Sequence, residues 1–419
     1  MKKEKIMKKL MIMLLVALLA FLPVGCAQKP VAQDVTLKFV RIGNDAAEAE
    51  YWKGLITRFE GKTPGVKIQY DDAAVGEPME TKLNSMFSAG MGPDLIGHGI
   101  MSVAARAAAK NYLPITQYFS TWEGKDDIMP SVLANGTYNK EVFGLAYSTT
   151  PYVFAYRKDL FAAAGLDPEK PPATWDALKQ YAEKLTVKEG DRIVTSGFSF
   201  PKSAGNFVEF DCFVFGNGGR YYDAEGKPTL DTPDKAEAFT FLSSFIGNVS
   251  IPFSNTEINP FINGNAAMTL INNVALTGML KNEAYKDKIG IALPPSNTGK
   301  KQETFSGCNM LFIGGDSKNP DAAFKFIAFA LTKDEVMKRA TDLNIPVTRK
   351  SQVEAFTALN PMNAVRAACV ANGIGMPRTT WAAAFQKIRN NMVQEVLYSK
   401  ASPEEALKKA QQALLDEMK

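Results

Sequence analysis

Hydrophobic and polar residues alternate in two stretches near the start of the chain and recur at helical spacing between and after them. At 35–39 and 66–70 every second residue is apolar, which is the period of a half-buried strand. The apolar positions that predict two helices are Tyr51, Trp52, Leu55, Ile56 and Phe59, then Met79, Leu83, Met86 and Phe87. With Asp94-Leu95-Ile96 as a third strand, the order is β-α-β-α-β. This order favours a parallel sheet covered by helices on both faces.

Ligands in such folds bind in the loops at the carboxyl ends of the strands. These loops are residues 43–48, 71–77 and 97–101. The candidate site of this chain is therefore expected to include them.

The C-terminal part is predicted to be mainly helical. One helix is expected over 381–398, and Ser402 followed by Pro403 and Glu405 has the pattern of a capped helix start. The middle of the chain has no internal repeats, low-complexity runs or long linker. We therefore expect lobes that exchange chain segments rather than domains joined in a row.

Residues 1–25 have the three parts of an export signal. Lysines crowd the first nine positions, an aliphatic run follows at 10–21, and Gly25-Cys26 closes the segment. The run is short for a membrane helix, which needs about 20 apolar residues. The segment resembles a bacterial lipoprotein signal, in which a cysteine after a small residue receives the lipid. We predict lipidation of Cys26 and a polar tether over 26–33.

Composition narrows the function classes. The chain is 46% hydrophobic and 22% charged, as expected for a globular protein. Its formal charge of +4 comes from the export signal, because the remaining chain has 43 basic and 43 acidic residues. Nucleic-acid binding needs a clustered cationic face, so we predict no nucleic-acid partner.

The sequence offers little for catalysis or for metal binding. His98 is the single histidine, which excludes imidazole-rich metal sites and leaves one residue for a Ser-His-Asp triad. Gly61-Lys62-Thr63 has the ending of a phosphate-binding loop, but Ile56 stands where the first glycine is needed. We interpret it as a helix end. No enzyme, metal or cofactor is therefore predicted.

The cysteines leave two alternatives open. If Cys26 carries lipid, Cys212, Cys308 and Cys369 remain, without close spacing. They fit either one long-range disulfide or three buried free thiols.

Aromatic and amide side chains are abundant in segments predicted as loops. Sugars suit such surroundings, since their C–H faces lie on rings while amides and carboxylates hydrogen-bond the hydroxyls. The residues are Tyr147, Tyr152, Asn206, Phe207, Phe210, Tyr221, Tyr222, Asn272, Asn273 and Trp381.

Several blocks together resemble the extracellular solute-binding proteins of family 1, the carbohydrate-binding ABC importer class to which maltose-binding protein belongs. They are residues 89–95 with Gly92-Pro93-Asp94, residues 143–178, residues 261–268 and residues 320–329. The resemblance implies two α/β lobes of the type II periplasmic-binding-protein fold, each a mixed sheet flanked by helices, with the ligand cleft between them.

The same resemblance implies a lobe division. Lobe 1 would comprise 34–147 plus 299–345, and lobe 2 would comprise 148–298 plus 346–419. The chain would cross near Ser148 to Thr150, near Leu293 to Thr298 and near Pro346. A solute that touches both lobes would favour the closed state, which the permease would recognise.

Site residues follow from the aligned blocks and from the polar and aromatic set above. Asn44 and Asp45 follow the first strand, with a helix cap at Asp45 as an equal alternative. Tyr147 and Thr150 would lie at the crossing, and Ser306-Gly307 would offer backbone amides. Trp381, after Arg378, would be the aromatic platform.

The further predicted contacts are His98, Asn206, Phe207, Phe210, Asn272 and Asn273. Val274 stands near a position where relatives carry tryptophan, and Trp175 is expected to be structural.

Other solutes remain as alternatives. Tyr221-Tyr222 resembles the adjacent tyrosines of ferric-ion binders. Glycerol phosphate would need converging cations such as Arg41, Arg349 and Arg378, and a polyamine is a third option. A secreted hydrolase is the least favoured. The expected partners are a carbohydrate, the permease subunits of an ABC importer and the membrane through Cys26, and the protein is expected to be a monomer outside the cytoplasm.

Overall fold

The structure, a computed structural model, describes residues 34–418 except residues 44, 204–206, 255–256 and 286. The predicted export signal, the tether with Cys26, and the predicted ligand contacts Asn44 and Asn206 lie outside the described residues.

The secondary structure of the described residues alternates between strands and helices. The strands are β1 (Val35–Ile42), β2 (Val66–Ala73), β3 (Leu95–Gly99), β4 (Thr137–Tyr138), β5 (Glu141–Val142), β6 (Gly144–Arg157), β7 (Val187–Glu189), β8 (Arg192–Thr195), β9 (Pro201–Ser203), β10 (Phe253–Ser254), β11 (Met268–Asn272), β12 (Ile289–Ala292), β13 (Thr304–Ile313) and β14 (Gly373–Ile374). The helices are α1 (Ala46–Lys62), α2 (Glu77–Ser88), α3 (Val103–Ala108), α4 (Thr116–Thr121), α5 (Pro130–Asn135), α6 (Lys158–Ala163), α7 (Trp175–Leu185), α8 (Val208–Gly216), α9 (Pro233–Ser243), α10 (Asn273–Leu280), α11 (Pro320–Ala330), α12 (Lys333–Leu343), α13 (Val353–Leu359), α14 (Met362–Ala371), α15 (Ala382–Leu397) and α16 (Pro403–Glu417).

The predicted β-α-β-α-β start is confirmed as β1, α1, β2, α2 and β3. The apolar face of α1 is buried, with Trp52 and Leu55 completely covered. The Gly61-Lys62-Thr63 segment ends α1, as predicted. At the other end of the chain, Ser402 and Glu405 form the predicted capping box of α16.

Eight strands form the main sheet. Its order is β11-β6-β13-β3-β1-β2, with β12 beside β6 and β14 beside β13. Strands β2 and β3 are parallel to β1, whereas β13 is antiparallel to both β3 and β6. The sheet is therefore mixed, as the family resemblance implied.

Strand β6 has 14 residues and two sets of neighbours. Residues 144–151 pair with β13, whereas residues 152–156 pair with β11 and residues 154–157 pair with β12. The strand thus carries the chain from one half of the sheet to the other.

The buried apolar side chains divide along the same line. We define the first core as the buried apolar side chains within residues 37–147 and 308–370. The second core consists of the buried apolar side chains within residues 153–305 and 369–414. Met101 is partly buried and packs against residues of both cores. The segment 347–370, expected in lobe 2, contributes Val347 and Phe356 to the first core.

The cysteine alternatives are resolved in favour of free thiols. Cys212, Cys308 and Cys369 are buried and unpaired by disulfides. Trp175, which starts α7, is buried with a 3% exposed fraction, as expected for a structural residue. Along the described ranges, no helix has both the length and the apolar character that crossing a membrane requires.

Candidate functional site

Strands β6 and β13 run side by side from the first core towards the second. Their register pairs Thr150 with Gly307 and Pro151 with Ser306. A Cβ on Gly307 would lie 3.2 Å from the Phe305 ring and 3.5 Å from Oγ1 of Thr150, so glycine keeps the space beside Thr150 open. Three sequence-predicted residues, Thr150, Ser306 and Gly307, therefore lie together. Ser306 is buried, whereas Thr150 is half-buried.

A polar cluster lies just beyond Thr150 on the side of the second core. Tyr152 and Asn272 are partners in the β6–β11 register, so their side chains lie on the same face of the sheet. The Tyr152 ring packs edge-on against Phe305, with 5.9 Å between the ring centroids. Burial raises the pKa of Tyr152 well above its usual value, and the charge of Glu209 raises it further. We call Tyr152, Glu209 and Asn272 the crossing cluster.

Helix α8 brings Glu209 to this cluster. One turn along the helix, Cys212 Sγ lies 3.4 Å from Oγ1 of Thr304, which donates to the carbonyl oxygen of Tyr152 at 2.9 Å. Because residues three apart share a helix face, Glu209 also faces the Tyr152 region. Its Oε2 atom is buried and has no hydrogen-bond partner. Burial, with a smaller effect of the Asp211 charge, raises the pKa of Glu209 to about 7.

Reasoning from the sequence alone did not find Glu209. An acid in the first turn of a helix is ordinary, because the helix dipole favours it there. Only the packing of α8 against β13 reveals that one oxygen of this carboxylate is shielded from solvent.

His98, at the end of β3, has both ring nitrogens engaged. Nδ1 accepts from the backbone N–H of Gly99 at 2.8 Å, so the ring proton lies on Nε2, 2.9 Å from Oε1 of Glu80. Arg106 pairs with the other oxygen of Glu80. Hydrogen bonding by His98, followed by that of Arg106, lowers the pKa of Glu80 to about 2. The position of His98 is therefore fixed by protein partners, and we do not include it among the proposed ligand contacts.

Arg41, near the end of β1, packs against the loop that follows this strand. This buried guanidinium pairs with Glu48 at 2.8 Å and Asp72 at 3.0 Å, and a Cβ on Gly43 would lie 2.4 Å from Arg41 Nη2. Asp45 is exposed and caps α1, with Oδ1 accepting from the backbone N–H of Glu48 at 2.8 Å. The helix-cap interpretation of Asp45 is confirmed, and its second role as a ligand contact stays a prediction.

Asn272 and Asn273 lie at the start of α10 and have different hydrogen-bond partners. Asn272 caps the helix, accepting from the N–H groups of Val274 at 3.0 Å and Ala275 at 2.9 Å. Asn273 is buried and accepts from Nε of Arg366 at 2.8 Å. Val274, near the expected tryptophan position, is 70% exposed.

Arg366 connects several segments of this region and has no acidic partner among the described residues. Its guanidinium donates to amide oxygens of Asn273, Asn344 and Asn363 and to the carbonyl oxygen of Asn344. Burial lowers the pKa of Arg366 to about 10. Asn273 is therefore a structural partner of a buried cation, in contrast to its predicted role as a ligand contact.

Three predicted aromatic contacts lie in the cores. Tyr147 packs edge-on against Trp52 with 4.9 Å between centroids, and Phe210 stacks on Phe239 at 3.9 Å. Phe207 is 1% exposed. Their rings are buried rather than facing solvent, so we do not propose them as sugar platforms.

Arg378 and Trp381 line cavities between α5 and the segment after α14. One cavity, of about 270 Å³, lies beside Asn135, Tyr222 and Arg378. Its neighbour, of about 550 Å³, shares Tyr222 and Arg378 and adds Trp381. Arg378 donates to the carbonyl oxygen of Ala134 and to Tyr222 Oη. These two predicted residues are thus brought together, but the crossing cluster does not line either cavity.

Trp381 itself is 6% exposed, and its Nε1–H donates to the carbonyl oxygen of Gly226 at 3.2 Å. Little of the ring is accessible for stacking on a sugar. The role of an aromatic platform for Trp381 therefore stays a prediction.

Several residues named for the ferric-ion and phosphate alternatives are engaged by protein partners, whereas Arg378 lines the cavity of about 270 Å³ described above. Tyr221 is buried and donates to Oδ1 of Asp211 at 2.5 Å, whereas Tyr222 contacts Arg378. Within the described ranges, no group of three or more His, Cys, Asp or Glu residues is arranged to hold a metal ion. Among the cations considered for phosphate, Arg41 is paired as above, and Arg349 is paired with Asp127 at 2.7 Å.

Comparison with known proteins identifies the family. Residues 44–337 match the family described as bacterial extracellular solute-binding protein. The chain belongs to this family. This membership agrees with the mixed sheet and with the two cores that β6 joins.

Individual relatives of this solute-binding protein are distant. It is 25% identical to the putative ABC transporter periplasmic-binding protein YcjN of Escherichia coli, covering 79% of this chain and 76% of YcjN. A solved solute-binding protein from Thermotoga lettingae, bound with α-D-tagatose, has 25% identity and a TM-score of 0.75, with coverage of 91% and 98%. The sugar-binding protein MalE from Xanthomonas citri has 18% identity and a TM-score of 0.82, with coverage of 92% and 98%.

Proposed function

We propose that this solute-binding protein captures a sugar or oligosaccharide outside the cytoplasm and delivers it to the permease of an ABC importer. The observation that carries the proposal is the family match over residues 44–337, together with the polar residues Thr150, Tyr152 and Asn272 on the strands that join the two cores. Such groups hydrogen-bond hydroxyls, and half-buried rings accept the C–H faces of a sugar. The tagatose-bound relative supports the ligand class.

The binding site that we propose lies at the first crossing. Thr150, Tyr152, Glu209 and Asn272 would contact the solute, with Asp45 as a contact from the loop after β1. Gly307 would leave room beside Thr150. Polar groups from the loops of one lobe and from the crossing cluster would then touch the same molecule.

Closure of the lobes would be the transport signal. The proposed lobes follow the two cores, which moves the third crossing from Pro346 to α14, because residues 347–370 contribute to the first core. A solute that contacts both lobes adds interactions only in the closed state and shifts the population towards it. The permease would then recognise the closed monomer.

The anchor would be a lipid on Cys26. The cysteine follows a small residue at the end of an aliphatic run, as in lipoprotein signals. A single acyl chain binds membranes only marginally, so stable anchoring requires more than one chain. Incorporation of labelled fatty acid that is lost in Cys26→Ala would support the anchor, and an unlabelled wild type would contradict it.

A thermal-shift screen of the mature chain tests the ligand class. The panel contains maltose, maltotriose, tagatose and ribitol, with ferric citrate, glycerol phosphate and spermidine as other solute classes. A ligand at 100 times its Kd stabilises the folded state by about 2.7 kcal/mol, which raises Tm measurably. We expect a response to a neutral carbohydrate. A response confined to iron, phosphate or amine would overturn the assignment.

A further inference from the structure

The cavity of about 270 Å³ that Arg378 lines has walls from both cores. Asn135 lines it from the end of α5, a helix whose residue Val132 belongs to the first core. Phe215 and Met376 line it from the second core. Ligand pockets commonly measure about 300–1,000 Å³, so a cavity of this volume suits a small solute.

The charges around this cavity do not balance. Among the described residues, the charged ones that line it are Arg220, Lys301, Glu303 and Arg378. Oε2 of Glu303 accepts from Arg220 at 2.7 Å, and Oε1 lies 3.8 Å from Nζ of Lys301. One carboxylate is therefore shared by two cations, and Arg378 adds a third positive charge. The lining of the cavity thus has an excess of positive charge.

Arg378 is held by neutral groups. Its Nη1 donates to the carbonyl oxygen of Ala134, and its Nη2 donates to Oη of Tyr222 at 3.3 Å. The described part of the chain brings no carboxylate to this guanidinium. Because a guanidinium has five N–H donors, some of them remain available to a ligand in the cavity.

We propose that this cavity is a binding site for a small oxyanion, either the free ion or the carboxylate or phosphate group of a small solute. A planar guanidinium donates two parallel hydrogen bonds to such a group, and Arg378 would bind it in this way. The Tyr222 hydroxyl, which accepts from Arg378, would donate its own proton to the same anion. Lys301 would add its charge from the edge of the cavity, where its side chain is 67% exposed.

This inference goes beyond the proposed function, because it assigns a second ligand to a cavity that the crossing cluster does not line. The lining comes from both cores, so a bound anion would stabilise the arrangement of the two cores described above. Anion binding and sugar binding can be measured separately, since each has its own probes.

Calorimetric titration of the mature chain at pH 7.5 tests the site. The probes are sodium phosphate and sodium succinate, which distinguish the two classes of oxyanion. Sodium chloride holds the ionic strength constant, because salt screens exposed charges. Each probe is titrated into the wild type, Arg378→Gln, Lys301→Gln, Glu303→Gln and Lys300→Gln. Lys300 is the matched control for Lys301, because it is adjacent and exposed but does not line the cavity.

We expect saturable binding of phosphate, succinate or both to the wild type. Arg378→Gln should raise the Kd about tenfold or more, since it removes a charge-assisted hydrogen bond. Lys301→Gln should raise the Kd about two- to fivefold, since this side chain is mostly exposed. Glu303→Gln should lower the Kd, because it removes the acid that competes with the anion for the cations. Lys300→Gln should leave the Kd unchanged.

Three results would overturn the inference. The first is no saturable binding of either probe to the wild type. The second is a Kd that is the same in the wild type, Lys301→Gln and Glu303→Gln; thermal unfolding verifies that these variants are folded, and they decide the result even if Arg378→Gln does not fold. The third is an effect of Lys300→Gln as large as that of Lys301→Gln, which would mean attraction to the overall charge. The sugar screen is a separate measurement, so failure of the anion site is distinguishable from failure of the proposed function.

Discussion

Helix α8 carries two acids, two residues apart, one completely buried and one half-buried. Asp211 lies within the second core and is completely buried, with Arg389 on one oxygen and the Tyr221 hydroxyl on the other. Glu209 lies beside the crossing strands with one oxygen unpaired. The same helix thus presents one satisfied and one unsatisfied carboxylate.

The difference in pairing distinguishes the Asp211 carboxylate, which has a structural role, from the Glu209 carboxylate, which is a candidate ligand contact. A buried pair is costly to form, but removing one partner costs more, because the other charge remains buried alone. An unpaired buried acid is simply a cost in the free protein. Burial raises the pKa of both carboxyl groups, to about 6 at Asp211 and to about 7 at Glu209, so the loss of the Arg389 partner at Asp211 is what should distinguish the two substitutions.

The largest effect is expected for Asp211→Asn. It leaves Arg389 buried without its acidic partner, and we expect a loss of about 3–5 kcal/mol in the free energy of unfolding. Urea unfolding at pH 7 measures it. Asp231→Asn, at an exposed position, is the control and should change stability by less than about 0.5 kcal/mol. If Asp211→Asn lowered the free energy of unfolding no more than Asp231→Asn, the Asp211–Arg389 pair would not be stabilising the fold.

A gain in stability is expected for Glu209→Gln at pH 8. Burial raises the pKa of Glu209 from 4.5 to about 7, so ionisation opposes folding. This penalty is absent below about pH 4.5, grows as pH rises and is complete above about pH 7. The amide should therefore stabilise the ligand-free protein by about 2–3 kcal/mol at pH 8 and by little at pH 5. Unfolding curves at both pH values measure it, and destabilisation at pH 8 would contradict the unpaired state.

The smallest effect is expected at the other side of the proposed site. Asp45→Ala removes the cap of α1 and should cost about 1 kcal/mol, whereas Asp45→Asn should cost much less, since asparagine caps equally well. Chemical unfolding of both variants is the measurement. Equal losses in the two variants would mean that the charge of Asp45, rather than its capping hydrogen bond, stabilises the helix.

Local patterns were sufficient where the chemistry is local. Alternating apolar residues located β1 and β2, helical spacing located α1 and α2, and Ser402 marked the start of α16. The cap at Asp45 followed from one residue type at a helix start. These features depend on contacts between near neighbours in the chain.

The candidate site was less predictable because its contacts join distant segments. Thr150 and Gly307 were expected at the crossing and are partners in the β6–β13 register. Tyr147 and Asn273 carry suitable side chains, yet one fills the first core and the other binds Arg366. Residue type does not reveal which side of a strand or helix turns towards solvent.

The sequence by itself determined the alternation of elements, the helix caps, the absence of imidazole-rich metal chemistry and the family resemblance, since each depends on residue type and spacing. Tertiary structure decided which polar groups are paired. His98 pairs with Glu80 and Asp211 pairs with Arg389, whereas Oε2 of Glu209 has no hydrogen-bond donor. The reason is physical: burial and hydrogen-bond pairing belong to groups brought together from far along the chain, and they set the cost and the chemistry of each charge.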